Sequence, residues 1–307
     1  MNKKLLIIGY SSFVKRRVMK SIKKIKKLDI YICSKSQKIN EKVKNVFDNY
    51  ELALKKQSFD YVYISLINSL HYKYAKMALN YGHNVIVDKP ITTSFKQTND
   101  LVKIAEKKKL LLLELTIFNH HLAFQKIITL LGGIKNINLI ETNFNVPLIK
   151  PIKEINIING GCNFDMGPYA AAIIRIFFKG KYINKLIVKK NFGKKYKMII
   201  NEFFLMISSK TKTYFGNFGI SKEYMSNITF FSKKKIIEIP FQAFALPCNK
   251  KIHFNIKGKN KKKTIYIKDD YIKKTFTNIL KSKINIKNSI KLIKIDNEIK
   301  KKLNLIK

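Results

Sequence analysis

Tryptophan is absent from these 307 residues, and cysteine, arginine, proline and glycine number only three, three, six and twelve. The cysteines, Cys33, Cys162 and Cys248, stand far apart with no C-x-x-C pair. That excludes a disulfide framework and a cysteine-based structural zinc site, and it points to a reduced, cytoplasmic setting. No uninterrupted apolar run approaches the roughly 18 residues of a membrane-spanning helix, so no membrane insertion is expected. The opening Met1-Asn2-Lys3-Lys4 leads into an apolar segment too short for the core of a signal peptide. No repeat and no Pro/Gly/Ser-rich linker is visible. What remains is a globular composition, 46% hydrophobic and 26% charged, at a length that suits two domains.

Acidic residues are also few: 19 against 62 basic ones, for a formal net charge of +43. By itself such a charge points to nucleic acid or an anionic membrane surface. Only Arg16, Arg17 and Arg175 are arginine, however, leaving 59 lysines. Arginine is the side chain that grips phosphate and guanine edges in a bidentate way, so its scarcity argues against a specific nucleic-acid reader. The lysines are spread along the whole chain, from Lys23–Lys27 through Lys194–Lys197, Lys233–Lys235 and Lys261–Lys263 to Lys300–Lys302. They rise together with isoleucine and asparagine, as A/T-rich coding produces. The field would still attract small anions, nucleotides included.

The first third alternates strand and helix signals. Leu5–Ile8, Ile30–Cys33, Tyr61–Ser65, Asn84–Val87 and Leu110–Leu113 read as strands, and Ser12–Ile25, Tyr72–Tyr81 and Ser94–Lys108 as helices. Such alternation implies a parallel sheet covered on both faces. After about residue 120 the pattern changes. A helix over Leu122–Leu131 and a strand over Ile134–Phe144 precede a loop with Pro147 and Pro151. An apolar helix, Ala170–Phe178, follows Gly160–Tyr169 and stops at Gly180. Short strands with turns then fill Ile183–Lys268, an antiparallel sheet, and two helices near Tyr271–Leu280 and Lys291–Leu303 finish the chain. The expected architecture is a Rossmann-type α/β domain over 1–119, followed by an α+β domain over 120–307 with a large, mostly antiparallel open sheet.

The first strand–turn–helix reads Gly9-Tyr10-Ser11-Ser12-Phe13-Val14, against the ideal dinucleotide pattern G-x-G-x-x-G. Only the first glycine is kept, although the helix start would still offer free N–H groups to a phosphate. The second strand ends in Cys33-Ser34-Lys35, with no carboxylate for a ribose diol. A serine and a cation suit a 2′-phosphate, which favours NADP(H) over NAD(H). In so lysine-rich a chain a lysine at any given position is also an ordinary chance event.

Further along, Asp60-Tyr61-Val62-Tyr63-Ile64-Ser65-Leu66-Ile67-Asn68-Ser69-Leu70-His71 leads to Gly82-His83-Asn84-Val85-Ile86-Val87-Asp88-Lys89-Pro90. The second domain carries Gly160-Gly161-Cys162-Asn163-Phe164-Asp165-Met166-Gly167-Pro168-Tyr169. In order and spacing these segments resemble the Gfo/Idh/MocA (glucose-fructose oxidoreductase/inositol dehydrogenase) family. The resemblance implies that Lys89 touches the nicotinamide ribose and the reacting hydroxyl, that Asp165 orients substrate or proton donor, and that Tyr169 moves the proton. A phenol with an ordinary pKa near ~10 does this best beside a cation such as Lys89. Gly9, Ser11, Ser12, Phe13, Ser34, Lys35, Leu66, Asn68, His71, Asp88 and Lys89 would line the cofactor. Asn119 and His121, in a loop similar to the family's "EafmyRxHP", would touch substrate, with asparagine standing where arginine is usual. His120-His121 is not read as a metal pair, since adjacent side chains diverge.

The function so implied is NADP(H)-dependent oxidoreduction of a sugar or nucleotide sugar, as keto-sugar reduction or the reverse, in surface-polysaccharide or deoxysugar metabolism. Family members commonly cover the open sheet face with another subunit, so a homo-oligomer is expected. The contrasting expectation is a family relative that has lost turnover with its glycine loop and serves as a binding or partner protein.

Overall fold

A computed structural model describes residues 1–35, 39, 41–147, 161–179, 185–192, 199–220, 222–258, 261–281 and 283–306. Pro151, Gly160, Gly180, Ile183, Met198, the lysine run 194–197 and most of the 145–160 loop lie outside the described residues. The chain forms two compact units, one of Met1–Thr116 with Ile272–Lys301, the other of Ile117–Tyr271 with Lys302–Leu305. This differs from a single cut at 119/120: the two C-terminal helices belong with the first unit.

The first unit is built on six strands: β1 (Lys3–Ile8), β2 (Leu28–Cys33), β3 (Asn45–Phe47), β4 (Tyr61–Ile64), β5 (Asn84–Asp88) and β6 (Leu112–Leu115). All are parallel, in the order β3-β2-β1-β4-β5-β6. That is the dinucleotide-fold order, with the strand order reversing beside β1. All four residues of β4 are buried, as expected of a strand covered on both faces. The helices are α1, a π-turn over Val14–Val18 running on through Met19–Ile22, then α2 (Tyr50–Lys56), α3 (Asn68–Asn80) and α4 (Phe95–Lys108). Asn49 caps α2 by accepting from the Glu51 and Leu52 N–H groups.

The second unit carries α5 (Leu122–Leu130), β7 (Ile137–Val146), α6 (Gly161–Phe178) and seven further strands. These are β8 (Lys185–Phe192), β9 (Ile200–Ser208), β10 (Thr213–Ile220), β11 (Met225–Ser232), β12 (Ile236–Ile239), β13 (Lys251–Gly258) and β14 (Lys261–Lys268). The sheet runs β14-β13-β12-β11-β7-β10-β9-β8 and is antiparallel except where β10 lies parallel to β7. Helix α6 starts at Gly161, well before the expected Ala170, and continues through Pro168. Its buried Met166, Ala170, Ile174 and Phe177 face a core that includes Phe203, Tyr214, Phe218 and Phe230.

Helices α7 (Tyr271–Leu280) and α8 (Ile286–Lys302) complete the first unit. Ile290 and Ile293 join the core cluster of Leu101 and Leu112, and the Tyr63 ring meets Phe276 edge-on at 5.6 Å. The buried Tyr61 hydroxyl donates to the Ile279 carbonyl at 2.8 Å. Tyr61→Phe leaves that carbonyl unsatisfied and is expected to cost about 1–2 kcal/mol. Urea denaturation should show a lower midpoint with an unchanged m-value.

Candidate active site

The residues expected to hold a nucleotide gather at the carboxyl ends of β1, β2, β4 and β5, where an open parallel sheet binds its ligands. Gly9 follows β1 with φ +92°, and a Cβ there would run into the Ser65 carbonyl oxygen and the Leu66 side chain. The first glycine is thus required by the close passage of two loops. Ser11 replaces the second glycine without obstructing the loop: its hydroxyl turns inward, 2.8 Å from the Ser65 hydroxyl, and accepts from the Val14 N–H at 3.2 Å. Val14, in place of the third, is fully buried where α1 opens as a wider π-turn, which gives the larger side chain room. Ser12 stays exposed at the helix start. The loop therefore fits a phosphate group, with one of its helical N–H groups already capped.

At the end of β2, Ser34 donates its N–H to the Phe47 carbonyl, and the Lys35 ammonium sits 5.2 Å over the Tyr50 ring. Two carboxylates that strand spacing does not reveal lie in this region. Burial, reinforced by the charge of Asp48, pushes the Cys33 thiol up to about 12. Glu41 takes the Tyr10 hydroxyl and the Lys23 ammonium, and the hydrogen bond from Lys23 holds its carboxyl below the usual range against the opposing effect of burial.

Asp88 and His71, expected at the cofactor, both make polar contacts within the protein. The Asp88 carboxylate is half-buried and accepts from the Tyr63 hydroxyl at 2.7 Å and the Ser65 hydroxyl at 2.5 Å. Burial raises its pKa despite those donors. His71 is 1% exposed, with Nδ1 2.7 Å from the Pro90 carbonyl and Nε2 3.0 Å from the Leu66 carbonyl. Both side chains thus brace the backbone on either side of Lys89, whose peptide bond to Pro90 is cis. Asn68 opens α3, directly after the Leu66 loop.

Sequence reasoning missed Glu114 as a bracing group. Its carboxylate accepts from the Ile91 N–H at 3.0 Å and the Thr116 hydroxyl at 2.8 Å, and pairs with Lys300 at 3.1 Å. Burial opposes the charge, but Lys300 and these donors outweigh it and hold the carboxyl below its ordinary range. The only sequence signal was an acid inside an otherwise apolar strand.

In the second unit, Asp165 and Tyr169 lie four residues apart on α6 and so share a helix face, and both are half-buried. The Tyr169 ring is packed among Phe118, Phe144 and Phe244, with centroids 5.5, 5.4 and 5.3 Å away. Asp165 lies inside the helix, beyond the position of a cap. The buried Asn119 amide oxygen has no hydrogen-bond partner among the described residues. His121, expected at the substrate, is fully buried, and its Nδ1 accepts from the Ala123 N–H to cap α5. Among the described residues no group of His, Cys, Asp or Glu could hold a metal ion, and no helix is long and apolar enough to cross a membrane.

Residues 3–115 match the family model described as "Oxidoreductase family, NAD-binding Rossmann fold" (GFO_IDH_MocA). This first domain belongs to the Gfo/Idh/MocA oxidoreductase family. Among curated relatives, a dTDP-3,4-didehydro-2,6-dideoxy-alpha-D-glucose 3-reductase of Saccharopolyspora spinosa is 27% identical over 187 residues, 57% of this chain. A trans-1,2-dihydrobenzene-1,2-diol dehydrogenase of Xenopus tropicalis is 24% identical over 145 residues, 46% of this chain. The matches span 55% and 44% of those relatives' own lengths. Among solved structures, a 3-ketoreductase from Actinomadura kijaniata, in complex with NADP and TDP-benzene, is similar over 100% of this chain and 97% of its own. Its TM-score is 0.86 at 17% identity. The fold of this chain therefore matches that of the Actinomadura kijaniata structure.

Asp88 and Glu114, both in the first unit, have opposite linkage to pH. Asp88 is raised, so its contribution to stability declines as pH climbs from the unfolded value near ~4 toward its folded value. Glu114 is lowered, so its contribution is full above ~4.3 and lost as pH falls through its folded value. Asp88→Asn is expected to match or exceed the parent in stability at neutral pH, an advantage that closes by about pH 3. Glu114→Gln should cost about 3–5 kcal/mol at neutral pH by stranding Lys300, and less in acid. Urea titrations across that range read both signs.

Proposed function

We propose that this protein is an NADP(H)-dependent oxidoreductase that reduces a keto group of a nucleotide-linked sugar, or oxidises the corresponding hydroxyl. The observation that carries the reading is Lys89 at the carboxyl end of β5, its neighbours Asp88, Pro90 and Ile91 each held by a polar contact within the protein. Groups that act on a transition state gain from being fixed beforehand.

A bound nicotinamide cofactor supplies the hydride. Gly9, Ser11, Ser12 and Phe13 shape the phosphate loop, while Leu66 and Asn68 contribute the adjoining wall. Ser34 and Lys35 favour a 2′-phosphate, which supports NADP(H), the cofactor form named with the Actinomadura kijaniata 3-ketoreductase. The Lys89 ammonium stabilises charge developing on the substrate oxygen. Tyr169 exchanges the proton through its hydroxyl, Asp165 orients the reacting groups, and the Asn119 amide oxygen accepts from a sugar hydroxyl. The curated 3-reductases act on a dTDP-linked deoxysugar by name, which supports the nucleotide-sugar class and a role in deoxysugar or surface-polysaccharide metabolism. The open face of the second sheet, with Phe215 and Met225 exposed, suits a homo-oligomer contact. Three cysteines without a disulfide suit the cytoplasm. The Ser11 hydroxyl, already bonded within the loop, favours one competing reading: a relative that binds without turnover.

With NADPH and dTDP-3,4-didehydro-2,6-dideoxy-α-D-glucose as probe, Lys89→Ala and Tyr169→Phe should each lower kcat by at least about 100-fold while NADPH still binds. Full turnover in both variants would contradict the assigned roles. A parent that binds NADPH without oxidising it on any keto-sugar would favour the competing reading.

A further inference from the structure

Lys300 lies in the run Lys300–Lys302, which by sequence is one more solvated lysine cluster, yet it is only 1% exposed. It projects from α8 onto Glu114 at the end of β6, and both partners are buried. The Glu114 oxygen that meets Lys300 is also the one that accepts the Ile91 N–H. The second oxygen holds the Thr116 hydroxyl. A carboxylate in so dry a place keeps its charge only with a counter-ion and a full set of donors. Ile91 is two residues from Lys89, and the intervening Pro90 carbonyl is held by His71. The contacts therefore run without a break from the C-terminal helix to the turn that carries Lys89.

We propose that Lys300 is a positioning residue for Lys89, anchoring the Glu114 carboxylate that fixes the Ile91 N–H and, through it, the Lys89–Pro90–Ile91 turn. Its catalytic meaning rests on the role assigned to Lys89 above, whereas the positioning itself rests on the contacts alone. A 1 Å drift of a group that acts on the transition state can cost on the order of 100-fold in rate, which makes such an anchor consequential.

Two double variants separate positioning from mere stability. Glu114→Leu/Lys300→Leu replaces the ion pair by apolar packing, which commonly preserves stability, but deletes the acceptor for Ile91. Glu114→Gln/Lys300→Met removes the charges and keeps a carbonyl oxygen for Ile91. In the leucine pair, the Ile91 amide should exchange hydrogen at least about 10-fold faster than in the parent. Its kcat with NADPH and dTDP-3,4-didehydro-2,6-dideoxy-α-D-glucose should fall about 10–100-fold with KM changed less than about 2-fold. The glutamine/methionine pair should stay within about 3-fold of the parent on both readouts. Should the leucine pair fold poorly, Lys300→Met alone serves: with the carboxylate deprived of its counter-ion, Ile91 exchange should again rise about 10-fold. Parental exchange at Ile91 in a folded leucine pair or in Lys300→Met would overturn the positioning, whatever the turnover. Faster exchange in a protein whose parent shows no turnover would uphold the positioning and remove the functional reading instead.

Discussion

The turn at the end of β5 is the constraint around which the first unit is arranged. Asp88, Pro90 and Ile91 each place a polar group in the interior, and each group must find a partner there or cost several kcal/mol. The partners come from separate parts of the chain: Tyr63 and Ser65 at the end of β4, His71 in α3, and Glu114 in β6. Ser65 in turn bonds Ser11 in the first loop, and Gly9 lies against the Ser65 carbonyl. Four strand ends are thereby tied to one another by short polar contacts, and a site assembled from strand ends is held in register before any ligand arrives.

Against this interior precision the net charge of +43 is mostly a property of solvated side chains. Some lysines nonetheless have structural work. Lys235 donates to the Leu130 carbonyl at the end of α5, Lys108 to Asn80 at the end of α3, and Lys212 to Phe177 near the end of α6. Helix C-termini leave carbonyls without intrahelical partners, and an ammonium satisfies them while complementing the helix dipole. Lys300 is the extreme case, taken fully out of water. Composition cannot separate these lysines from the rest, because burial is decided by tertiary packing.

The parallel strands β1, β2, β4 and β5 were legible because strands covered on both faces must be nearly continuous apolar runs. The edge strand β3 was not, since three residues carry too little pattern, and α2 was overlooked although Asn49 followed by Glu51 is a recognisable helix start. The apolar run marks α6 only from Ala170, but the helix starts at Gly161 and runs on through Pro168 under a buried apolar face. The parallel pairing of β10 with β7 is a long-range choice that local periodicity does not encode. Gly9 was legible from its motif, and motifs alone nominate Lys89, Asp165 and Tyr169 for the proposed chemistry. The inward orientation of Asp88, His71 and His121 was not legible, because a motif fixes residue type and spacing and leaves hydrogen-bond partners to the fold. Glu114 with Lys300 lay further out of reach, two charges 186 residues apart that only the packed structure brings together.

The central claim, a working NADP(H) site on a loop that keeps one glycine of three, is tested most directly by thermal stability in the presence of each nicotinamide cofactor at moderate salt. A ligand that binds the native state must raise its stability, and salt screens the general attraction of a cationic protein for phosphates. Tm should rise with NADPH and NADP⁺ by more than it does with NADH and NAD⁺ at equal concentration. No rise with any of the four would contradict that claim.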